Sequence, residues 1–232
     1  MSKITSYKIV YDEKQVELFQ KKYYSSDNVY LMFISARKKY EGSLSGKTTC
    51  FKRTIVSGNS SLVRYLKHYE VPIGTYHDFV NNVVIPQHAI VVYTSVNSRN
   101  VSSACKGLAK HVIDRSFDGV KLKVKDAKIE TFLHKCPNKD YVGIDLDTKD
   151  EKVTVPLFNE LYEKIPEFDI IETRGGFHII IHKKHLKTQD VGKFLYREIP
   201  KKYPDVDKVQ NDLFSPIPGT LQGGFEVKFV TR

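Results

Sequence analysis

The sequence predicts an α+β protein in which helices cover a mostly antiparallel sheet. Three observations lead there. Short β-branched, apolar runs are bounded by turn residues, other stretches carry apolar residues at helical intervals, and a glycine pair joins two apolar runs as a hairpin would.

The elements follow in chain order. Residues 11–24 (YDEKQVELFQKKYY) read as a helix and residues 29–36 as an apolar strand. Residues 41–60 are rich in Gly, Ser, Thr and Lys and read as loop or hairpin. Their SGKTT resembles the end of a phosphate-binding loop. With Lys47 as its lysine, however, the required first glycine falls on Glu41, so the motif fails. Residues 88–96 (HAIVVYTSV) predict a buried strand. In residues 100–116, Val101, Ala104, Cys105, Leu108, Ala109, Val112 and Ile113 fall at intervals of three and four and predict an amphipathic helix. Residues 140–148 read as a second strand, and Pro156 marks the start of a further helix. Residues 169–183 read as a hairpin turning at Arg174-Gly175-Gly176, residues 187–203 as a last helix capped by Thr188, and residues 220–230 as a closing strand. Residues 88–232 then form a β-α-β-α-β-β-α-β core. Residues 1–87 form a smaller N-terminal α/β accessory lobe, unless the whole is one continuous domain.

At 232 residues the chain can bury a core without disulfides or a structural metal, and 41% hydrophobic residues is a globular composition. Lys and Arg number 37 against 27 Asp and Glu, a net charge of +10, which favours polyanionic partners, nucleic acid first and anionic membrane second. Cys50, Cys105 and Cys136 are odd in number and far apart, with no Cys/His ligand spacing, which argues against a disulfide framework or a zinc knuckle. The N-terminus lacks a signal-like apolar stretch and no run reaches membrane-spanning length. The expectation is a soluble protein without a membrane partner, cytoplasmic or at a nucleoid or viral replication site, and not secreted.

Three stretches carry chemistry. On a strand, Asp145 and Asp147 of GIDLD point to one face while Val142, Ile144 and Leu146 point to the other. Paired carboxylates repel unless a cation sits between them, and Mg²⁺ or Mn²⁺ prefers such oxygen ligands. The same DLD also reads as a strand ending at solvent. In Thr173-Arg174-Gly175-Gly176-Phe177-His178, a glycine pair lets backbone approach a phosphate, Arg174 offers a planar donor fork, and His178 is fixed on a strand. An ordinary two-glycine hairpin reads the same way. Downstream, an acidic stretch with Asp205, Asp207 and Asp212 precedes Pro218-Gly219-Thr220 and a second glycine pair, Gly223-Gly224.

These three signals, in this order over roughly residues 88–230, resemble the catalytic signature of the archaeo-eukaryotic primase superfamily. Its DxD pair is matched by Asp145-Leu146-Asp147. Its strand-borne histidine is matched by Gly176-Phe177-His178, with Gly176 where serine is frequent. Its late aspartate and Pro-Gly turn are matched by Val206–Val209 and Ile217–Gly224. Two positions depart: Ser215-Pro216-Ile217 replaces the basic residue before the turn, for which Arg174 or Lys228 could compensate, and Gln222 replaces a histidine.

The resemblance implies a core related to the RNA-recognition motif and a DNA-templated nucleotidyltransferase, a primase or primer-extending polymerase working with two Mg²⁺ or Mn²⁺ ions. It places Asp145, Asp147 and Asp207 as metal-binding catalytic carboxylates, with Asp205 and Asp212 as rivals for the third. It places His178, Arg174, Gly175, Gly176 and Thr220 against the nucleotide. Partners would be a single-stranded DNA template, nucleoside triphosphates and a helicase or other replication subunit. Interleaved basic and aromatic residues suggest template phosphate contacts by Arg37, Lys38, Lys39 and Arg64, with Tyr40, Lys52, Arg53 and Tyr65 alongside. Asn97, Ser98 and Arg99, at a strand-to-helix junction, suit either an anion or a cap. The rival functions are a non-catalytic nucleic-acid-binding replication-initiator module, and a metal-dependent nuclease using Lys149 after the acidic pair.

Overall fold

Asp12 opens the first helix by accepting a hydrogen bond from the Gln15 amide, and α1 (Glu13–Tyr23) follows. In the computed structural model, which describes residues 5–118, 128–186 and 188–230, the α1 residues Val16, Phe19 and Tyr23 form its buried stripe. The outer limits of the two expected portions, residues 1 and 232, and Lys187 at the start of the expected last helix lie outside the described residues.

β1 (Val29–Arg37) pairs antiparallel with β2 (Thr48–Ser57) across the 38–47 connection. The stretch expected as loop or hairpin therefore holds a long strand. β2 is a sheet edge with most side chains at least partly exposed, so it shows no apolar run. Then come α2 (Leu62–Lys67), capped by Ser61, a small hairpin of β3 (His77–Asp78) and β4 (Val83–Val84), and β5 (Ile90–Ser95), buried at every residue. β5 pairs with β1 on one side and with β10 (Phe214–Pro216) on the other, giving a four-stranded sheet in the order β10-β5-β1-β2. A boundary at residues 87 and 88 thus runs between two hydrogen-bonded strands.

Asn100 caps α3 (Val101–Phe117), and α4 (Ile129–His134) packs beside it. Of the expected apolar stripe only Ala104 is buried, while Val101 and Ile113 are exposed. α3 meets α4 where Gly107 lies against Phe132.

The second sheet is built by β6 (Tyr141–Leu146), α5 (Glu151–Lys164), β7 (Asp169–Glu172) and β8 (Phe177–His182). A helical run comes next, α6 (Gln189–Lys193), a π turn (Phe194–Glu198) and α7 (Ile199–Lys202), and β9 (Val206–Gln210) ends the unit. This βαββαβ succession pairs antiparallel in the order β7-β8-β6-β9. Thr188 caps α6, as expected. Asp150 caps α5, which begins at Glu151, so Pro156 lies inside the helix rather than at its start; its missing N–H removes one bond of the helical ladder. The expected closing strand is broken in two. β11 (Leu221–Gln222) and β12 (Phe225–Glu226) form a hairpin turning at Gly223 and Gly224, both at positive φ, before β13 (Lys228–Val230) joins the β7 edge.

Alternation along the strands divides the core. Ile144, Leu146, Ile179 and Ile181 face α5 and the helical run, meeting Leu157, Leu161, Leu195 and Ile199. Ile171 and Ile180, on the opposite face, meet α1 and the first sheet through Phe19, Met32, Ile34 and Val92. Asp145 and His178 stand on that second face, toward the first sheet. No helix among the described residues is long and apolar enough to cross a membrane.

Candidate active site

Asp145 occupies the middle of three strands, with His178 of β8 opposite it on one side and Lys208 of β9 on the other. His178 Nε2 lies 3.2 Å from Asp145 Oδ1, and its Nδ1 lies 3.2 Å from Ser215 Oγ. Ser215 Oγ in turn donates to the Pro216 carbonyl, so the two ring nitrogens of His178 bridge a hydroxyl and the Asp145 carboxylate. Burial alone would raise the Asp145 carboxyl. The His178 hydrogen bond and charge, with Lys39 and Lys208 nearby, outweigh burial and hold it below the ordinary carboxylate range.

Asp147 comes two residues later, its amide donating to the Asp205 carbonyl at 2.9 Å. Beside it stands the 173–176 turn, closed by Thr173 bonding to the Gly176 backbone. A Cβ on Gly176 would lie 1.9 Å from the Leu146 carbonyl oxygen, so the serine frequent in the family pattern has no room here. At Gly175 a Cβ would meet only Lys39 Nζ at 3.6 Å and Asp147 Oδ1 at 3.8 Å. Gly175 is therefore the floor on which the connection after β1 and the second carboxylate converge.

The first sheet supplies the rest. Arg37, the last residue of β1, donates from Nη1 to Tyr93 Oη at 2.6 Å. Arg174 is stacked over the Tyr40 ring at 4.2 Å and donates from Nη1 to the Gly223 carbonyl at 2.6 Å; its amide donates to Gln222 Oε1 at 2.7 Å. Gln222, where the family pattern has histidine, thus holds the arginine-bearing turn in place. Burial first, and Tyr93 second, push the Tyr40 phenol up to about 12, so it remains a neutral donor. Arg37 Nε and Tyr40 Oη are buried without a hydrogen-bond partner among the described residues. A buried donor left unpaired costs about 1–3 kcal/mol, and two of them beside a carboxylate pair mark where acceptor atoms of a ligand fit.

Other expected site residues lie elsewhere. Asp207 sits at the bulge in the β6–β9 pairing, half exposed, with Lys208 Nζ 3.5 Å from its carboxylate. Asp205 contributes its backbone carbonyl to Asp147. Asp212 is bound to Arg99 by two hydrogen bonds of 2.8 and 2.9 Å. Arg99 is therefore committed to an internal ion pair and does not await an anion. Asn97 ties the Tyr141 and Asn211 carbonyls together, and Asn100 is the cap of α3. Thr220 is 1% exposed and its hydroxyl donates to the Ile217 carbonyl at 2.6 Å, so it closes the Pro-Gly turn and offers nothing to a nucleotide. Arg64 lies on α2 in a separate pocket with Ser61, Tyr65 and His68. Lys38 is exposed in the connection after β1. Lys149 and Lys228 both bind Glu172, at 2.6 and 3.2 Å, so neither compensates for the missing basic residue before the Pro-Gly turn.

Tyr93, Ser215 and Lys208 carry no signal in the sequence beyond lying on strands, because register alone brings them here. The donor chemistry suits a hard divalent cation in a sparse form. Among the described residues no three His, Cys, Asp or Glu side chains converge, so Asp145 and Asp147 would hold the ion, with water and substrate phosphate completing the shell. Comparison of the chain with protein-family models, with curated proteins and with solved structures found no match.

Proposed function

We propose that the protein is a DNA-templated nucleotidyltransferase of the primase type, starting or extending a strand on single-stranded DNA. The observation that carries this reading is the pair of unpartnered donors, Arg37 Nε and Tyr40 Oη, near the carboxylates of Asp145 and Asp147, with Lys39, Arg174 and Lys208 also close by. A purely anion-binding site would not include these carboxylates, and a purely cation-binding site would not set four basic side chains near them. A metal–triphosphate meets both requirements. The βαββαβ order of the second sheet, with Asp145 on its interior strand β6 and Asp147 just past that strand's end, supports the same reading.

In this account Asp145 and Asp147 would hold Mg²⁺ or Mn²⁺, while Asp207, the third carboxylate that the family resemblance implies, stands apart at the bulge beside Lys208. The metal, when bound, supplies charge stabilisation to the phosphoryl transfer and sharpens the 3′-hydroxyl as nucleophile. His178 fixes the orientation of Asp145 and keeps it ionised. Arg37, Lys39 and Arg174 grip the triphosphate, and Tyr40 donates a neutral hydrogen bond to it. Lys149, the lysine that a nuclease mechanism would use, is paired with Glu172 at 2.6 Å, which favours the transferase over the nuclease reading. The partners that follow are the template, nucleoside triphosphates and a helicase or other replication subunit, at a cytoplasmic, nucleoid or viral replication site.

The test is strand synthesis from labelled nucleotides on single-stranded DNA, with and without a primer, in Mg²⁺ or Mn²⁺. The protein with Asp145→Ala and Asp147→Ala is expected to lose product on the order of 10³-fold, the scale of several kcal/mol of transition-state stabilisation. Absence of product in every lane, with salt-sensitive DNA binding intact, would instead fit a non-catalytic binding module.

A further inference from the structure

The outer face of the four-stranded sheet carries a second built site. Alternation along β1 places Phe33, Ser35 and Arg37 on the face away from Met32 and Ile34, which lie in the core. A cavity of about 250 Å³ opens there, lined by Phe33, Phe214 and His134, with Ser35, Arg53 and Cys50 on its walls. The rings form a connected wall: Phe33 to Phe214 at 5.3 Å, and His134 stacked on Phe214 at 5.3 Å with 13° between the planes. Ser35 Oγ is fully buried and has no hydrogen-bond partner among the described residues, although every other buried hydroxyl on this sheet's Thr94 and Ser95 is paired. An aromatic wall with one unpaired hydroxyl is what a flat, polar-edged ring requires.

The chemistry continues past the cavity. Cys50 and Arg53 also line a second, polar hollow of about 470 Å³, together with Phe51, Lys52, Lys128, Thr131 and one carboxylate, Glu130. The polar hollow is within the size range of small-ligand sites, roughly 300–1,000 Å³, and the apolar cavity, which shares Cys50 and Arg53 with it, is a little smaller. Burial first, then Arg99 and Arg53, lower the His134 imidazole, so it stands neutral against the aromatic wall at neutral pH.

We propose that this face is a nucleotide subsite in which a base enters the Phe33–Phe214–His134 cavity with its edge on Ser35 Oγ while its phosphate lies on Arg53, Lys52 and Lys128. It depends on the proposed function only in taking nucleic acid as the ligand class. Its place in the fold gives it direction. Phe33 packs on Tyr93 at 5.5 Å, and Tyr93 holds Arg37 of the carboxylate site, so a strand anchored here leads toward Asp145 and Asp147. A free nucleotide and one residue of a single strand present the same base and phosphate, and the test separates them.

Fluorescence anisotropy with labelled (dT)₁₂, in chelator, reads the subsite without any metal-dependent chemistry. Phe33→Ala is expected to weaken binding about tenfold, the scale of one lost base–aromatic contact, Arg53→Ala, at an exposed position, about tenfold as one lost charge-assisted phosphate contact, and Ser35→Val to weaken it by blocking the cavity. Melting temperatures show whether each variant folds; Arg53→Ala decides the matter if Phe33→Ala does not. The Asp145→Ala/Asp147→Ala protein should keep this binding, which keeps the result independent of whether synthesis is seen. Competition by free dTMP at micromolar to millimolar concentration identifies a mononucleotide site; competition by oligonucleotide alone identifies a strand site. Protection of Cys50 from maleimide by the bound ligand, in a Cys105→Ser/Cys136→Ser background, places the ligand at the cavity. Unchanged affinity in Arg53→Ala and Ser35→Val, or no protection of Cys50 at saturating ligand, would overturn the proposal.

Discussion

At the scale of single residues, charge pairs are read most safely where burial decides their worth. Arg99 is fully buried and, among the described residues, its only carboxylate partner is Asp212, so Asp212→Ala leaves a buried guanidinium uncompensated. We expect a loss of about 3 kcal/mol in urea unfolding, the low end for a broken buried pair, because Asp212 itself is partly open to solvent. Glu172 is the opposite case. Burial would raise its carboxyl, but Lys149 and Lys228 lower it below its usual value of 4.5. A carboxylate with a depressed folded-state pKa stabilises above its unfolded pKa, and that contribution fades as pH falls through the folded value. Glu172→Gln should therefore lower Tm by about 2 °C or less at pH 7, with the difference from wild type shrinking as pH falls below the ordinary glutamate value of 4.5 in a pH series of melts.

Elements are where sequence and structure part. The strands at residues 29–36 and 140–148, the hairpin at residues 169–183 and the Thr188 cap were legible because apolar runs and turn residues act locally. β2 was hidden because an edge strand buries little. Pro156 misled because the capping by Asp150 overrides the usual placing of proline in the first turn. At the site, Asp145 and His178 could be aligned from alternation along their strands, whereas Asp147 falls just past the end of its strand, and Tyr93, Ser215, Lys208 and the fate of Asp212 are set by register between strands distant in sequence. The 173–176 turn offers a sharp contrast between two adjacent glycines. Gly176→Ala drives a Cβ into the Leu146 carbonyl and should cost about 1–3 kcal/mol, measured by chemical denaturation. Gly175→Ala meets only ordinary contacts and should unfold as wild type does.

At the scale of the whole molecule, the two sheets share one core. Phe19, Ile34 and Val92 lie in the same cluster as Ile171, Ile180 and Leu213. β5 pairs with β1 from one half of the chain and β10 from the other. The chain should therefore unfold in one transition by circular dichroism and by tyrosine fluorescence. A fragment of residues 88–232, stripped of β1 and α1, should fail to give a cooperative melt. The same architecture brings Arg37, Lys39 and Tyr40, from the N-terminal half, onto carboxylates that the C-terminal half supplies.

That meeting of two halves is the central claim, and extension of a primed single strand by one labelled nucleotide tests it most directly. Asp145→Asn/Asp147→Asn should abolish extension. Arg37→Lys, which keeps the charge and loses the Nε donor, should raise KM for the nucleotide about tenfold, the scale of one charge-assisted hydrogen bond, with kcat largely retained. Extension that survives the double asparagine protein, or a KM untouched by Arg37→Lys, would contradict a single site built from both sheets.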